Sequence, residues 1–137
     1  MSDVAEKSAK TNAWPTGIFA ITLFTENLEQ AKEFYQNVFG LPIDYEDANS
    51  AVFKFGDTLV NLLKITEAQG LIEPAKVADR ESGARYMFTI MVDDVDALCD
   101  TLIGRGVKLL NGPMDRPWGI RTASFMDLAG HIWEIAK

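Results

Sequence analysis

Apolar and polar positions run along the chain in two matching series. Phe19–Thr25 alternates as a strand does, with Phe19, Ile21 and Leu23 on one side and Ala20, Thr22 and Phe24 on the other. Asn27, with Gln30 three residues on, then opens a helix. Leu28, Ala31, Phe34, Tyr35, Val38 and Phe39 form its apolar stripe, and Gly40 ends it. Leu41–Tyr45, Ala51–Phe55 and Thr58–Ile65 read as three short strands, the last two joined at Gly56-Asp57. The pattern then returns. Tyr86–Val92 is a strand, and Asp94 caps a helix with the stripe Val95, Leu98, Leu102 and Ile103. Gly104 and Gly106 stop that helix. Val107–Leu110, Ile120–Met126 and His131–Ala136 are the remaining strands, with a loop, Asn111–Gly119, between the first two.

Ile18–Asn27 and Arg85–Asp94 open the two series 67 residues apart. A period this long, present twice, marks a duplicated module and not a solenoid. The predicted fold is α+β: two tandem β-α-β-β-β modules, about residues 17–65 and 85–136, whose curled mixed sheets surround a cleft built from two half-sites. Residues 66–84, polar and holding Gly70, Pro74 and Gly83, form the linker. Residues 14–137 make a single domain, and the polar segment 1–13 reads as a flexible tail.

Charge narrows the range of partners. The formal net charge is −7 and the pI about 4.6, which excludes nucleic acid as a partner, since phosphate binding needs a basic face. Most of the excess lies in the first module, where Lys32, Lys54 and Lys64 stand against seven acids over residues 14–64. That is a solvated acidic surface on the plain reading, and an attraction for cationic ligands on the functional one. No apolar run reaches the roughly 20 residues that span a bilayer. The first residues lack the apolar core of a secretory signal. The single cysteine, Cys99, leaves no internal disulfide, so a cytoplasmic protein is expected.

Alternation directs a particular set of side chains at the cleft. It comprises Ala20, Thr22, Phe24, Phe53, Phe55, Asn61, Met87, Thr89, Met91, Arg121 and Glu134, with Met114 and Trp118 from the nearby loop. Aromatic and methionine walls with sparse polar anchors suit a planar organic ligand. Ordinary core packing is the competing explanation for each such residue. Trp118 is expected at the cleft mouth. Trp133 alternates away from Glu134, into the layer against the helices. His131, the lone histidine, lies opposite Glu134 or at the turn, and Cys99 is a small hydrophobe beside a helical stripe. There is neither a nucleophile-and-base pair nor a glycine-rich phosphate loop.

The duplicated module, the acidic turn before each helix and the closing segment Ser124–Ile135 (SFMDLAGHIWEI) resemble the vicinal oxygen chelate superfamily. That group holds glyoxalase I, extradiol dioxygenases, fosfomycin-resistance enzymes and bleomycin-resistance proteins. The resemblance covers about residues 17–136, with Leu128 standing where the family usually has proline. Its enzymes hold a divalent metal on four side chains, two from each module. Carried over by motif, those positions are Ala20, Asn61, Met87 and Glu134. Alanine cannot ligate, a thioether is a poor ligand for a hard ion, and one carboxylate cannot hold Zn²⁺ or Mn²⁺ alone. The resemblance therefore implies a chain without metal or other cofactor, most like the bleomycin-resistance-type antibiotic-binding branch. Its implied role is a homodimeric binder of an aromatic antibiotic or metabolite, with drug resistance by sequestration as one outcome. Arg116 and Arg121 would instead suit a ligand carrying a carboxylate or phenolate. The alternative is a lyase or oxidoreductase with an atypical metal site, or with Glu134 as general base.

Overall fold

A computed structural model describes residues 14–137; the expected tail over residues 1–13 lies outside the described residues. The first module consists of β1 (Ala20–Thr25), α1 (Leu28–Phe39), β2 (Tyr45–Glu46), β3 (Ser50–Phe55) and β4 (Thr58–Lys64). The second consists of β5 (Phe88–Met91), α3 (Val95–Gly104), β6 (Asn111–Asp115), β7 (Arg121–Met126) and β8 (Ile132–Ala136). The linker is ordered into a 3-10 turn at Ile65–Glu67, a short helix α2 (Gln69–Ile72) and a second 3-10 turn at Arg80–Ser82. None of the helices among the described residues is long and apolar enough to cross a membrane.

Local chemistry places the helices as the sequence predicts. The Asn27 side chain accepts the Gln30 N–H, the Asp94 side chain accepts the Ala97 N–H, and Gly40 closes α1 at φ 69° in the left-handed region. Two strands differ from expectation. Leu41–Tyr45 contributes only Tyr45–Glu46 as β2, in part because Pro42 has no N–H to give a neighbour. Val107–Leu110 is not a strand; β6 forms from the polar run Asn111–Asp115 instead. There Gly112, at φ 87°, takes a register shift against β7, and a Cβ at that position would overlap the Thr122 carbonyl and the Ala123 backbone. Hydrophobic alternation cannot reveal a strand held by backbone pairing and a bulge.

The strand orders are β1-β4-β3-β2 and β5-β8-β7-β6, with the first strand of each module parallel to its last. This is the expected fold class, two curled four-stranded mixed sheets with helices. Ile21, Leu23, Phe53, Val60 and Leu62 from the first sheet share one core with Phe88, Ile90, Phe125, Trp133 and Ile135 from the second. Between them α1 inserts Phe39, whose ring lies 5.2 Å from Phe55, 5.8 Å from Phe125 and 5.0 Å from Trp133.

A buried polar knot joins the modules in the same layer. The Trp133 indole N–H donates to the Tyr35 hydroxyl at 3.1 Å, and that hydroxyl donates to Asp127 Oδ2 at 2.7 Å. Asp127 also accepts the backbone N–H groups of Ala129 and His131 and meets His131 Nδ1 at 3.0 Å. Burial pushes the Asp127 carboxyl up, but the bonds from His131 and Tyr35 outweigh it and hold the group below the ordinary carboxylate range. Burial first, and the Asp127 charge second, push the Tyr35 phenol well above its usual value.

Candidate functional site

Because both sheets spend one face on the common core, the other face of each points away from that core. These outer faces carry the two half-sites. In the first module, Thr22 on β1 is in register with Asn61 on β4, and Ala20 shares their face. Among the described residues the buried Asn61 side-chain oxygen has no hydrogen-bond partner, a cost unless something donates to it. Phe24, further along that face, is half-buried and lines a small cavity with Ile65, Ile72, Tyr86 and His131.

In the second module, register aligns Thr89 (β5), Glu134 (β8), Ser124 (β7) and Asn111 (β6) in one row across the outer face. The Thr89 hydroxyl donates to Glu134 Oε1 at 2.8 Å. Met114 pairs with Thr122 on the same face, and Met87 and Met91 are exposed on the β5 side. Arg116, in the β6–β7 turn, donates through Nε to the Thr122 hydroxyl and through Nη2 to Asn111 Oδ1, both at 2.8 Å. Trp118 stands in that turn, 69% exposed.

Three expected site residues are elsewhere. Phe53 and Phe55 lie on the core face of β3, against Tyr35 and Phe39, because the two-residue turn at Gly56-Asp57 sets Val52, not Phe53, opposite Asn61. Arg121 shares its face with Ala123 and Phe125. It reaches Asp96 at the start of α3 at 2.9 Å and Asp115 at 3.1 Å, so its charge is already matched. Thr122 occupies the outer-face position instead. Trp133 is packed against the helices as expected, 3% exposed. His131 is at the turn but buried, anchored by Asp127. The Asp127-x-x-Gly-His131 spacing was the available signal for that anchoring.

A cleft of about 760 Å³ opens between the two core faces. Ile21, Phe39, Phe55, Phe88, Ile90 and Trp133 give it apolar walls. Its charged lining is engaged: Lys54 faces Asp44 at 3.8 Å, and Arg105 donates to the Val38 carbonyl at 2.7 Å. Of the side chains expected at the cleft, Phe55, Met87 and Thr89 line it.

The donor set does not fit the divalent metal of the resembling enzymes. Ala20 offers no donor, Met87 a thioether, Asn61 a neutral amide and Glu134 one carboxylate. Among the described residues no three His, Cys, Asp or Glu side chains gather as ligands.

Comparison with known proteins follows the same lines. A protein of Bacillus subtilis (strain 168), the uncharacterized protein YraH, is 33% identical over 124 residues, covering 88% of this chain and 97% of that one. Among solved structures, a glyoxalase/bleomycin resistance protein/dioxygenase from Nocardioides superposes with a TM-score of 0.81 at 21% identity, over 99% of this chain and 92% of its own. A glyoxalase-related enzyme from Fulvimarina pelagi gives 0.78 at 22% identity, over 89% and 88%. At such identities the solved structures speak for the fold alone. The model of the Glyoxalase/Bleomycin resistance protein/Dioxygenase superfamily matches residues 17–135, and the chain belongs to that superfamily.

Proposed function

We propose that this protein binds a small organic molecule without a metal, in a site completed when the first-module face of one copy meets the second-module face of another. The observation that carries the reading is the pair of outer faces. Each keeps a polar side chain at one of the family's ligand positions, Asn61 on one and Glu134, held by Thr89, on the other, while the positions beside them, Ala20 and Met87, offer no useful metal donor. Polar groups at such positions fix a ligand's pose, whereas the cleft between the modules is walled chiefly by apolar side chains. Two half-sites facing apart within one chain call for a second copy, and a C2 homodimer supplies it. Trp14, Ile18, Phe19, Met91 and Trp118 are exposed in the single chain, apolar surface of the kind a partner covers. An antibiotic or an aromatic metabolite is the expected ligand class, and the chain acts by holding it.

Two outcomes follow. The purified protein carries no stoichiometric Zn, Mn, Fe or Ni; elemental analysis finding about one atom per chain, lost in Glu134→Gln, would overturn the metal-free reading. A thermal-shift screen of peptide, anthracycline, enediyne and phenazine antibiotics and of planar metabolites returns a ligand that quenches tryptophan fluorescence. Trp118→Ala then weakens that ligand by about 1–3 kcal/mol, as expected for loss of an aromatic anchor. Unchanged affinity in Trp118→Ala would place the ligand away from the β6–β7 turn.

A further inference from the structure

We infer that the second-module face recognises an organic anion: a carboxylate docked on the open edge of the Arg116 guanidinium, with a hydrogen-bond donor elsewhere on the ligand reaching Glu134. The inference rests on the proposed binding role and adds the ligand's charge.

Arg116 is held in place without being neutralised. Its Nε–H and one Nη2–H are taken by the Thr122 hydroxyl and the Asn111 amide oxygen, both neutral. Among the described residues no carboxylate pairs with it, although the chain as a whole carries a net charge of −7. The neighbouring Arg121, by contrast, is matched by Asp96 and Asp115. The two Nη1–H groups and the second Nη2–H of Arg116 remain, and adjacent N–H groups of this kind grip a carboxylate bidentately. Fixing the side chain beforehand lowers the entropy cost of that grip.

The face also sets the ligand's length. Asn111, which anchors Arg116, and Glu134 lie two strands apart in one row, with Ser124 between them. Strands sit about 4.8 Å apart, so the two positions are separated by about 10 Å. A single aromatic ring bearing a carboxymethyl group at one end and a hydroxyl at the other is of that size. Met114 and Trp118 offer it apolar and aromatic surface.

The test uses full-length protein and matched probes: 4-hydroxyphenylacetate, its neutral amide 4-hydroxyphenylacetamide, and phenylacetate, which lacks the hydroxyl donor. Calorimetry is expected to give the carboxylate about tenfold to a hundredfold tighter binding than the amide, the range for a hydrogen bond to a charged group. Arg116→Gln erases that preference, Arg116→Lys keeps part of it, and Glu134→Gln changes the preference for 4-hydroxyphenylacetate over phenylacetate instead. Unaltered melting temperatures in the variants separate these effects from misfolding. Equal binding of carboxylate and amide, or a preference that survives Arg116→Gln, overturns the anion assignment while leaving the binding role standing. Tighter binding of a cationic probe, 4-hydroxyphenethylamine, does the same and restores the acidic-surface explanation. Binding of none of the probes overturns the anion assignment, and a blank antibiotic and metabolite screen beside it removes the binding role as well.

Discussion

Trp133→Ala is expected to cost about 3–5 kcal/mol of folding stability, the range for deleting a buried aromatic side chain. The ring sits where both modules and α1 meet: it stacks on Phe55 at 5.1 Å, tilts against Phe88 at 5.2 Å and lies 5.0 Å from Phe39. It also lines the cleft between the modules, so its removal enlarges an existing void that the walls cannot close. The upper half of the range is therefore the expectation. Denaturant unfolding measures it, as a lowered midpoint with an unchanged slope. A loss below about 1 kcal/mol would show that the modules do not depend on this contact. Trp118→Ala is the control: an exposed ring in a turn, whose loss should leave stability within about 0.5 kcal/mol while weakening the ligand.

Asp127→Ala is expected to be comparably damaging, about 3–5 kcal/mol, because several buried donors lose their acceptor together, each at about 1–3 kcal/mol. The Tyr35 hydroxyl, the His131 ring and the N–H groups of Ala129 and His131 all lose their acceptor at once. The same carboxylate links stability to pH. Its folded value lies below the ordinary one, so the unfolded chain binds the proton first as pH falls. The stabilisation is complete above about pH 4 and disappears as pH drops through the lower folded value. Asp127→Asn should therefore be less stable at neutral pH and lose less on acidification. Asp47, held low chiefly by the Asn49 backbone N–H and the Ser50 hydroxyl, remains in that variant, so the acid slope shrinks without vanishing. An acid slope identical in the wild type and Asp127→Asn would contradict the assignment.

How much of this was legible in the sequence depends on the range of the interaction. The helices were plain, because the stripes and the Asn27, Gly40 and Asp94 caps lie within a few residues of one another. The duplicated strands were plain for the same reason. Facing across strands was harder. Alternation within each strand alone places Asn61 and Phe53 on one face, yet the Gly56-Asp57 turn pairs Phe55 with Thr58 and so sets Asn61 against Val52. That arithmetic was available in the chain. The side taken by Arg121 was less accessible, because it follows from the longer turn over Asp127–His131 and from the partners Asp96 and Asp115, one of them 25 residues away. The polar strand β6 gave no hydrophobic signal. The Tyr35–Asp127 bond spans 92 residues and could not be read locally. Nor could the orientation of the two modules, which turns one expected binding face into two that point apart.

That orientation carries the central claim, and a mixed-copy binding measurement tests it most directly. Thr22→Trp fills the first-module face and Glu134→Trp the second, in separate chains with unchanged melting temperatures. Each variant alone should fail to bind the tightest ligand of the screen. Random pairing of equal amounts should restore binding at about a quarter of the sites, since half the dimers hold one site built from two native faces. Binding by either variant alone, or no recovery on mixing, would contradict a site shared between two copies.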